Sequence, residues 1–303
     1  MTPHIWVNAR PEHRVALEAA VERGGGVVSS AAAADALVWA VDDPPSIRRY
    51  LTPQVRWVQL SSAGIEEWFE AGVVDRARVW TAAKGVYAEP IAEYVLAMML
   101  AAARRVPEVV SDESWQPRDV SSLAGATVGI VGAGGIGRAL LRLLVPLGTR
   151  SIALTRGGRA VPGAAESVGP DGLDSLLRRS DYVVLASPET AETIGLLSTR
   201  EIALLQPHAW IINVGRGSIL DTDALVAALA GGRIGGAALD VTSPEPLPAG
   251  HALWAFPNVI ITSHTGSTSR LGREHLAHRI QANVDRFSRG LELLGLVDVD
   301  LEY

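Results

Sequence analysis

Residues 127–156 read TVGIVGAGGIGRALLRLLVPLGTRSIALTR. The apolar run Val128-Gly129-Ile130-Val131 predicts a strand, and Gly132-Ala133-Gly134-Gly135-Ile136-Gly137 a turn. The apolar-periodic segment up to Leu147-Gly148 predicts a helix, and Ser151-Ile152-Ala153-Leu154 a second strand. Strand, glycine turn, helix and strand is the context in which G-x-G-x-x-G spacing cradles a dinucleotide. Gly132 permits the tight turn, Gly134 lets backbone approach a pyrophosphate, and Gly137 lets helix pack closely on strand. Gly135 and Ile136 open the helix, whose unpaired N–H groups and dipole favour an anion. Glycine-rich turns also occur in loops that bind nothing, so the flanking elements give the motif its weight.

The end of the second strand discriminates between cofactors. An acidic residue there holds the ribose 2′-OH of NAD, whereas arginine accommodates the 2′-phosphate of NADP. The sequence reads Leu154-Thr155-Arg156-Gly157-Gly158-Arg159, without a carboxylate. Thr155, Arg156 and Arg159 are therefore the candidate 2′-phosphate contacts. NADP(H) is the preferred cofactor, with NAD(H) possible. The plainer reading makes the two arginines solvated loop charges.

Outward from this unit the α/β alternation continues. Downstream, strands are predicted at Tyr182–Ala186, Trp210–Val214, Gly236–Val241 and Val259–Thr262, which makes six parallel strands between Thr127 and Ser263. Helices are predicted at Leu173–Arg179, Ile202–Leu205 and Thr222–Ala230. Upstream, strands at His4–Val7, Val27–Val28, Leu37–Ala40 and Trp57–Leu60 alternate with helices at Pro11–Arg23 and Ser46–Leu51, a smaller parallel α/β unit. A long helix at Ile91–Arg105 and an irregular segment, Val106–Leu123, separate the two. A last helix, Leu271–Arg289, leads back toward the first domain.

Length and composition agree with two domains and a sizeable core: 303 residues, 48% hydrophobic, mean hydropathy +0.20. A net charge of −6 argues against nucleic acid as the main partner. With no cysteine, disulfides, thiol nucleophiles and cysteine metal sites are excluded. The N-terminus MTPHIWVNARPE lacks a basic region followed by an apolar run, and the longest apolar run, Tyr94–Ala103, is shorter than the roughly 20 residues that a bilayer requires. No membrane association is expected, and the cytoplasm is the expected location. Lys84 is the only lysine; a functional role and a solvent-facing loop are both open for it.

Three polar residues follow strand ends on the edge where a nicotinamide would lie: Arg216 in Asn213-Val214-Gly215-Arg216-Gly217, Glu245 in Ser243-Pro244-Glu245-Pro246, and His264 after Ile260-Ile261-Thr262-Ser263. Singly, each has a plain reading as a loop residue. Together they fit the reduction of a 2-oxo acid, which needs a hydride at the carbonyl carbon, a proton for the alkoxide and a cation for the carboxylate. Histidine supplies the proton. Arginine grips a carboxylate bidentately. A carboxylate beside the imidazole fixes its tautomer and favours the charged ring.

Here the sequence resembles the D-isomer-specific 2-hydroxyacid dehydrogenase family, which includes glyoxylate/hydroxypyruvate reductases, D-lactate dehydrogenases and phosphoglycerate dehydrogenases. The resemblance is carried by Ser61-Ser62-Ala63-Gly64, Ala92-Glu93-Tyr94, Leu123–Gly137, Pro188 with Thr190, Ile212–Gly217, Ala238–Pro246 and Ser263-His264, in the family's order. It implies a Rossmann doubly wound domain at 85–270 and a smaller, discontinuous flavodoxin-like substrate domain at 1–84 and 271–303, with the active site in the cleft. It further implies that Arg216, Glu245 and His264 are catalytic, that Asp240 contacts the nicotinamide carboxamide, and that Pro188 lies at the nicotinamide edge. The backbone of Ser62, Ala63 and Gly64, with Arg216, would hold the substrate carboxylate. The long helix would build a homodimer. The expected activity is an NAD(P)-dependent reduction of a small 2-oxo acid, of the glyoxylate/hydroxypyruvate type. The alternative is a dinucleotide-sensing binding protein similar to the family's corepressors. Formate oxidation is disfavoured, because that branch lacks glutamate at the position of Glu245.

The chain also departs from the family's pattern. Ala82 and Ala83 stand where asparagine is frequent, Pro188-Glu189-Thr190 stands for Pro-Leu-Thr, and Ser263-His264 for Pro-His. The regulatory domain of long phosphoglycerate dehydrogenases is not expected. Pocket walls are expected from loops near Trp39, Ser62, Tyr87 and Trp254. Glu274-His275 with His278 lacks the H-E-x-x-H spacing, Asp42-Asp43-Pro44-Pro45 reads as a turn, and no metal site is expected.

Overall fold

A computed structural model describes residues 2–110, 112–113 and 115–300, apart from the side chain of Ser269. Contacts divide the chain into two compact units, one formed by residues up to Tyr87 together with those from Thr268 onward, the other by Ala88–Ser267.

The first unit holds β1 (His4–Ala9), β2 (Val27–Val28), β3 (Ala36–Ala40), β4 (Trp57–Leu60) and β5 (Val79–Thr81), all parallel, in the order β2-β1-β3-β4-β5. That is the flavodoxin-type order. Alternate residues of β3 serve opposite faces: Ala36 and Val38 pack with helices Pro11–Arg23 and Ser269–Ser288, whereas Leu37 and Trp39 pack with Ile47, Trp68 and Trp80. Each buried Leu, Ile or Val contributes about 1.5–3 kcal/mol, so a sheet covered on both faces is the favoured outcome.

The second unit holds β6 (Thr127–Val131), β7 (Arg150–Leu154), β8 (Glu166–Val168), β9 (Tyr182–Leu185), β10 (Trp210–Asn213), β11 (Gly236–Leu239) and β12 (Val259–Ile261). They form a parallel seven-stranded sheet in the order β12-β11-β10-β9-β6-β7-β8. The strand order reverses beside β6, at the boundary with β9, which is the crevice where doubly wound sheets bind dinucleotides. Val128 and Ile130 pack with the helices Ala88–Ala103 and Gly135–Leu144 on one face, and Val131 packs with helices Leu173–Arg179 and Thr222–Ala230 on the other. Gly129 is required because a Cβ there would lie 2.4 Å from Leu176 Cδ2.

Several elements differ from the sequence reading. The second sheet has seven strands rather than six, because the polar edge strand Glu166-Ser167-Val168 carries no apolar period; β5 escaped for its brevity. The helix expected at Ser46–Leu51 is a 3-10 turn, Pro45–Tyr50, and the one at Ile202–Leu205 lies at Thr199–Ile202, started by a Ser198/Glu201 capping box. The long helix begins earlier, at Ala88, where the first turn tolerates Pro90. The segment read as irregular, 106–123, opens with a helix at Val106–Val110. Ser111 and Ser114 in that segment, like Met1 and residues 301–303 of the expected substrate domain, lie outside the described residues. Among the described residues no helix is long and apolar enough to cross a membrane.

Candidate active site

The glycine turn joins β6 to the helix Gly135–Leu144. Gly132 has φ +98°, and a Cβ on it would sit 2.6 Å from the Ser187 backbone N. A Cβ on Gly137 would sit 2.6 Å from Gly132 O, so these two glycines are demanded by the protein's own packing. Gly134 is different: a Cβ there would meet nothing within 4 Å. Its bare backbone faces open space at the start of a helix that no side chain caps. That is the cradle a pyrophosphate fits, with the amides of Gly135, Ile136 and Gly137 at the helix start.

Beyond β7, Thr155 N–H donates to Val168 O at 3.0 Å and Gly158 N–H to Thr155 O at 3.2 Å. Gly158 has φ +60° and lies so close to Gly169 that a side chain would be crowded. This tight turn leaves Arg156 and Arg159 exposed on the surface. The Thr155 hydroxyl is enclosed and makes no hydrogen bond.

Arg216 follows β10, in a turn that its neighbours dictate. The buried Asn213 side chain accepts from Gly215 N–H at 3.1 Å and donates to Arg216 O at 2.9 Å. A Cβ on Gly215 would lie 2.7 Å from Ser187 O, and one on Gly217 1.9 Å from Thr242 O. Glycine on either side of Arg216 therefore lets its turn press between the loops after β9 and β11. The guanidinium Nη1 donates to Gly215 O at 2.8 Å.

Glu245 and His264 come from the loops after β11 and β12. His264 Nδ1 lies 2.8 Å from Glu245 Oε1, both side chains being half open to solvent. An ionised carboxylate accepts, so Nδ1 carries the proton and Nε2 is left for other chemistry. His264 has φ +53°, a left-handed conformation costly for a non-glycine residue.

Asp240 holds that conformation in place. It is 5% exposed. Its Oδ1 accepts from Thr262 Oγ1 and Thr265 N–H at 2.8 Å each, its Oδ2 from Gly266 N–H at 2.8 Å, and its backbone O from His264 N–H at 2.9 Å. Tyr94 hydrogen-bonds to the Thr262 hydroxyl, and burial pushes its phenol pKa up. Asp240 is thus engaged by the His264 loop on both carboxylate oxygens. Pro188 is exposed and opens the loop after β9, next to the buried Ser187.

Arg216, Glu245 and His264 therefore follow three neighbouring strands of one sheet, on the same edge as the glycine turn. Sequence reasoning missed Asn213, Thr262 and Tyr94. The polar residue ending the apolar strand Trp-Ile-Ile-Asn was a usable signal for the first and the stretch Ala92-Glu93-Tyr94 for the third; no pattern marked Thr262.

In the first unit, Ser62, Ala63 and Gly64 follow β4. Tyr87 OH donates to Ser61 O at 2.5 Å, and Ala83 N–H to Ser62 O at 2.8 Å, so this turn is braced from the segment after β5. Burial raises the Tyr87 pKa to about 12, against the opposing charge of Arg279. Arg279 donates to Ala82 O at 3.4 Å and Lys84 O at 2.9 Å. Lys84 Nζ donates to Leu296 O at 3.1 Å, and burial lowers its pKa while Asp298 opposes. Trp39 is only 1% exposed and packs between Trp6 and Tyr50, so it is core rather than a pocket wall.

Comparison with known proteins gives the family and the fold. Residues 96–266 match the NAD binding domain of D-isomer specific 2-hydroxyacid dehydrogenases. A glyoxylate reductase of Thermococcus litoralis is 35% identical over 72% of this chain and 69% of its own length. Among solved structures, a D-isomer specific 2-hydroxyacid dehydrogenase from Xanthobacter autotrophicus, in complex with NADPH, has a TM-score of 0.86 at 27% identity, with 100% of each chain covered. An NADPH-dependent glyoxylate/hydroxypyruvate reductase from Sinorhizobium meliloti, in complex with NADP and sulfate, has a TM-score of 0.84 at 27% identity, again with 100% of each chain covered. The chain belongs to the D-isomer specific 2-hydroxyacid dehydrogenase family and is an NAD(P)-dependent oxidoreductase.

Proposed function

We propose that this protein reduces a small 2-oxo acid to the D-2-hydroxy acid, with NADPH preferred over NADH, glyoxylate and hydroxypyruvate being the first substrates to try. The observation that carries the reading is the His264–Glu245 pair at 2.8 Å on the sheet edge that also bears the glycine turn and Arg216. The bound dinucleotide supplies the hydride. Glu245 accepts from Nδ1–H of His264 and fixes the ring's tautomer and orientation. His264 Nε2 then delivers the proton to the carbonyl oxygen as it becomes an alkoxide. Arg216 holds the carboxylate and polarises the carbonyl, and substrate contacts are also assigned to the peptide groups of Ser62, Ala63 and Gly64.

The glycine-turn unit is the dinucleotide-binding domain, and the other unit the substrate domain. The preference for NADPH is supported by exposed Arg156 and Arg159 at the end of β7 and by the absence of a carboxylate from residues 154–159. The dinucleotides bound to the Xanthobacter and Sinorhizobium proteins point the same way. Replacing His264 with alanine should lower kcat by about 10²- to 10⁴-fold while the affinity for NADPH is retained. An unaffected kcat would remove His264 from proton transfer.

We also assign a homodimer to this chain. Leu100, Val106, Val109, Val110 and Trp115, the last 96% exposed, leave apolar surface along the long helix and the segment after it. Light scattering should give twice the chain mass, and a monomer at micromolar concentration would refute this.

A further inference from the structure

The loop after β9 carries Glu189 where the family's pattern has leucine, and this glutamate is not idle. Its half-buried carboxylate accepts a hydrogen bond from the Ser218 hydroxyl. Ser218 lies in the 3-10 turn Gly217–Ile219, for which Arg216 is the N-cap. The same loop fastens that turn through its backbone, Gly195 N–H donating to Ser218 O at 2.8 Å and Leu197 N–H to Ile219 O at 3.0 Å. It is also stiffened internally, because Thr193 Oγ1 donates to Pro188 O at 2.7 Å and accepts from Thr190 N–H at 2.8 Å. Asn213 bonds to the Arg216 carbonyl, and the Thr242 carbonyl lies packed against Gly217. Ser218 is therefore gripped twice by one loop, and a leucine at position 189 would release its side-chain grip.

We propose that Glu189 is a positioning residue for Arg216: by accepting from Ser218 it locks the turn that aims the guanidinium. The need is physical. An arginine side chain gives up about 2 kcal/mol of rotamer freedom when held, and bidentate capture of a carboxylate tolerates little misplacement, so the backbone that launches it must be fixed. This inference rests on the reading that Arg216 holds the substrate carboxylate.

The test compares E189L, E189Q, S218A and the E189L/S218A double variant, with R216Q as reference, using glyoxylate at saturating NADPH. E189L and S218A should each raise KM for glyoxylate about 5- to 30-fold, the double variant no further, because both remove one bond. E189Q should stay within about threefold of the parent, since its amide oxygen still accepts from Ser218. The dissociation constant for NADPH and the Tm should change little. Should E189Q be as impaired as E189L, the charge rather than the grip matters, and the proposal fails. It fails equally should R216Q raise KM while E189L and S218A do not. An R216Q variant with unchanged KM would instead overturn the underlying reading of Arg216.

Discussion

Replacing Asp240 with asparagine exchanges one buried carboxylate oxygen for an N–H₂ group, and the structure fixes the consequence. Asparagine can keep its oxygen toward Thr262 Oγ1 and Thr265 N–H, but its amide nitrogen then faces Gly266 N–H, donor against donor. One stranded buried donor costs about 1–3 kcal/mol, and loss of the charge weakens the two remaining bonds, for a total of about 2–4 kcal/mol. At roughly 2–4 °C per kcal/mol for a domain of this size, the Tm should fall by about 4–16 °C. The loosened segment carries His264 at φ +53°, a conformation that needs such anchoring. The kcat should therefore drop about tenfold or more, with the NADPH dissociation constant kept within about threefold. Differential scanning calorimetry, titration calorimetry with NADPH and steady-state kinetics read the three quantities. Unchanged Tm and kcat would refute the reasoning.

Exchanging Arg156 for aspartate places a carboxylate where the ribose 2′-OH of NAD would be held, so the NADPH/NADH ratio of kcat/KM should fall about tenfold or more; an unchanged ratio would refute the 2′-phosphate contact. The pKa of Tyr87 is raised to about 12 from an ordinary value of 10.0. The unfolded chain therefore loses this proton first as pH rises, and the stabilisation, fully present below pH 10, is lost as pH passes through about 12. The parent should lose about 2–3 kcal/mol over that window relative to Y87F in denaturant titrations; parallel losses would count against the buried phenol.

Much of the architecture was legible because parallel strands covered on both faces must be short apolar runs. Tyr182–Leu185, Trp210–Asn213 and Gly236–Leu239 needed only minor trimming. Glu166–Val168 was not legible, since an edge strand has no apolar pattern to show. At the site, residue types and their places after strand ends picked out Arg216, Glu245 and His264, because their chemistry is local to the turn. The support remained hidden. The resemblance pointed Asp240 at the nicotinamide carboxamide, but nothing in the sequence showed that its two oxygens hold a loop more than 20 residues downstream in the chain. The braces from Arg279 to Ala82 and from Glu189 to Ser218 join residues 197 and 29 positions apart, and only the fold reveals such pairs. Lys84, left open by the sequence, is a pin on the Leu296 carbonyl.

Reduction of a small 2-oxo acid is tested most directly by steady-state oxidation of NADPH and NADH by the purified protein against glyoxylate, hydroxypyruvate, pyruvate, phenylpyruvate and branched 2-oxo acids, with chiral analysis of the product. The expected result is turnover of a small 2-oxo acid, faster with NADPH, giving the D-hydroxy acid where a stereocentre forms. Tight binding of both dinucleotides without reduction of any acid would contradict it and favour a nucleotide-sensing protein that acts through a partner.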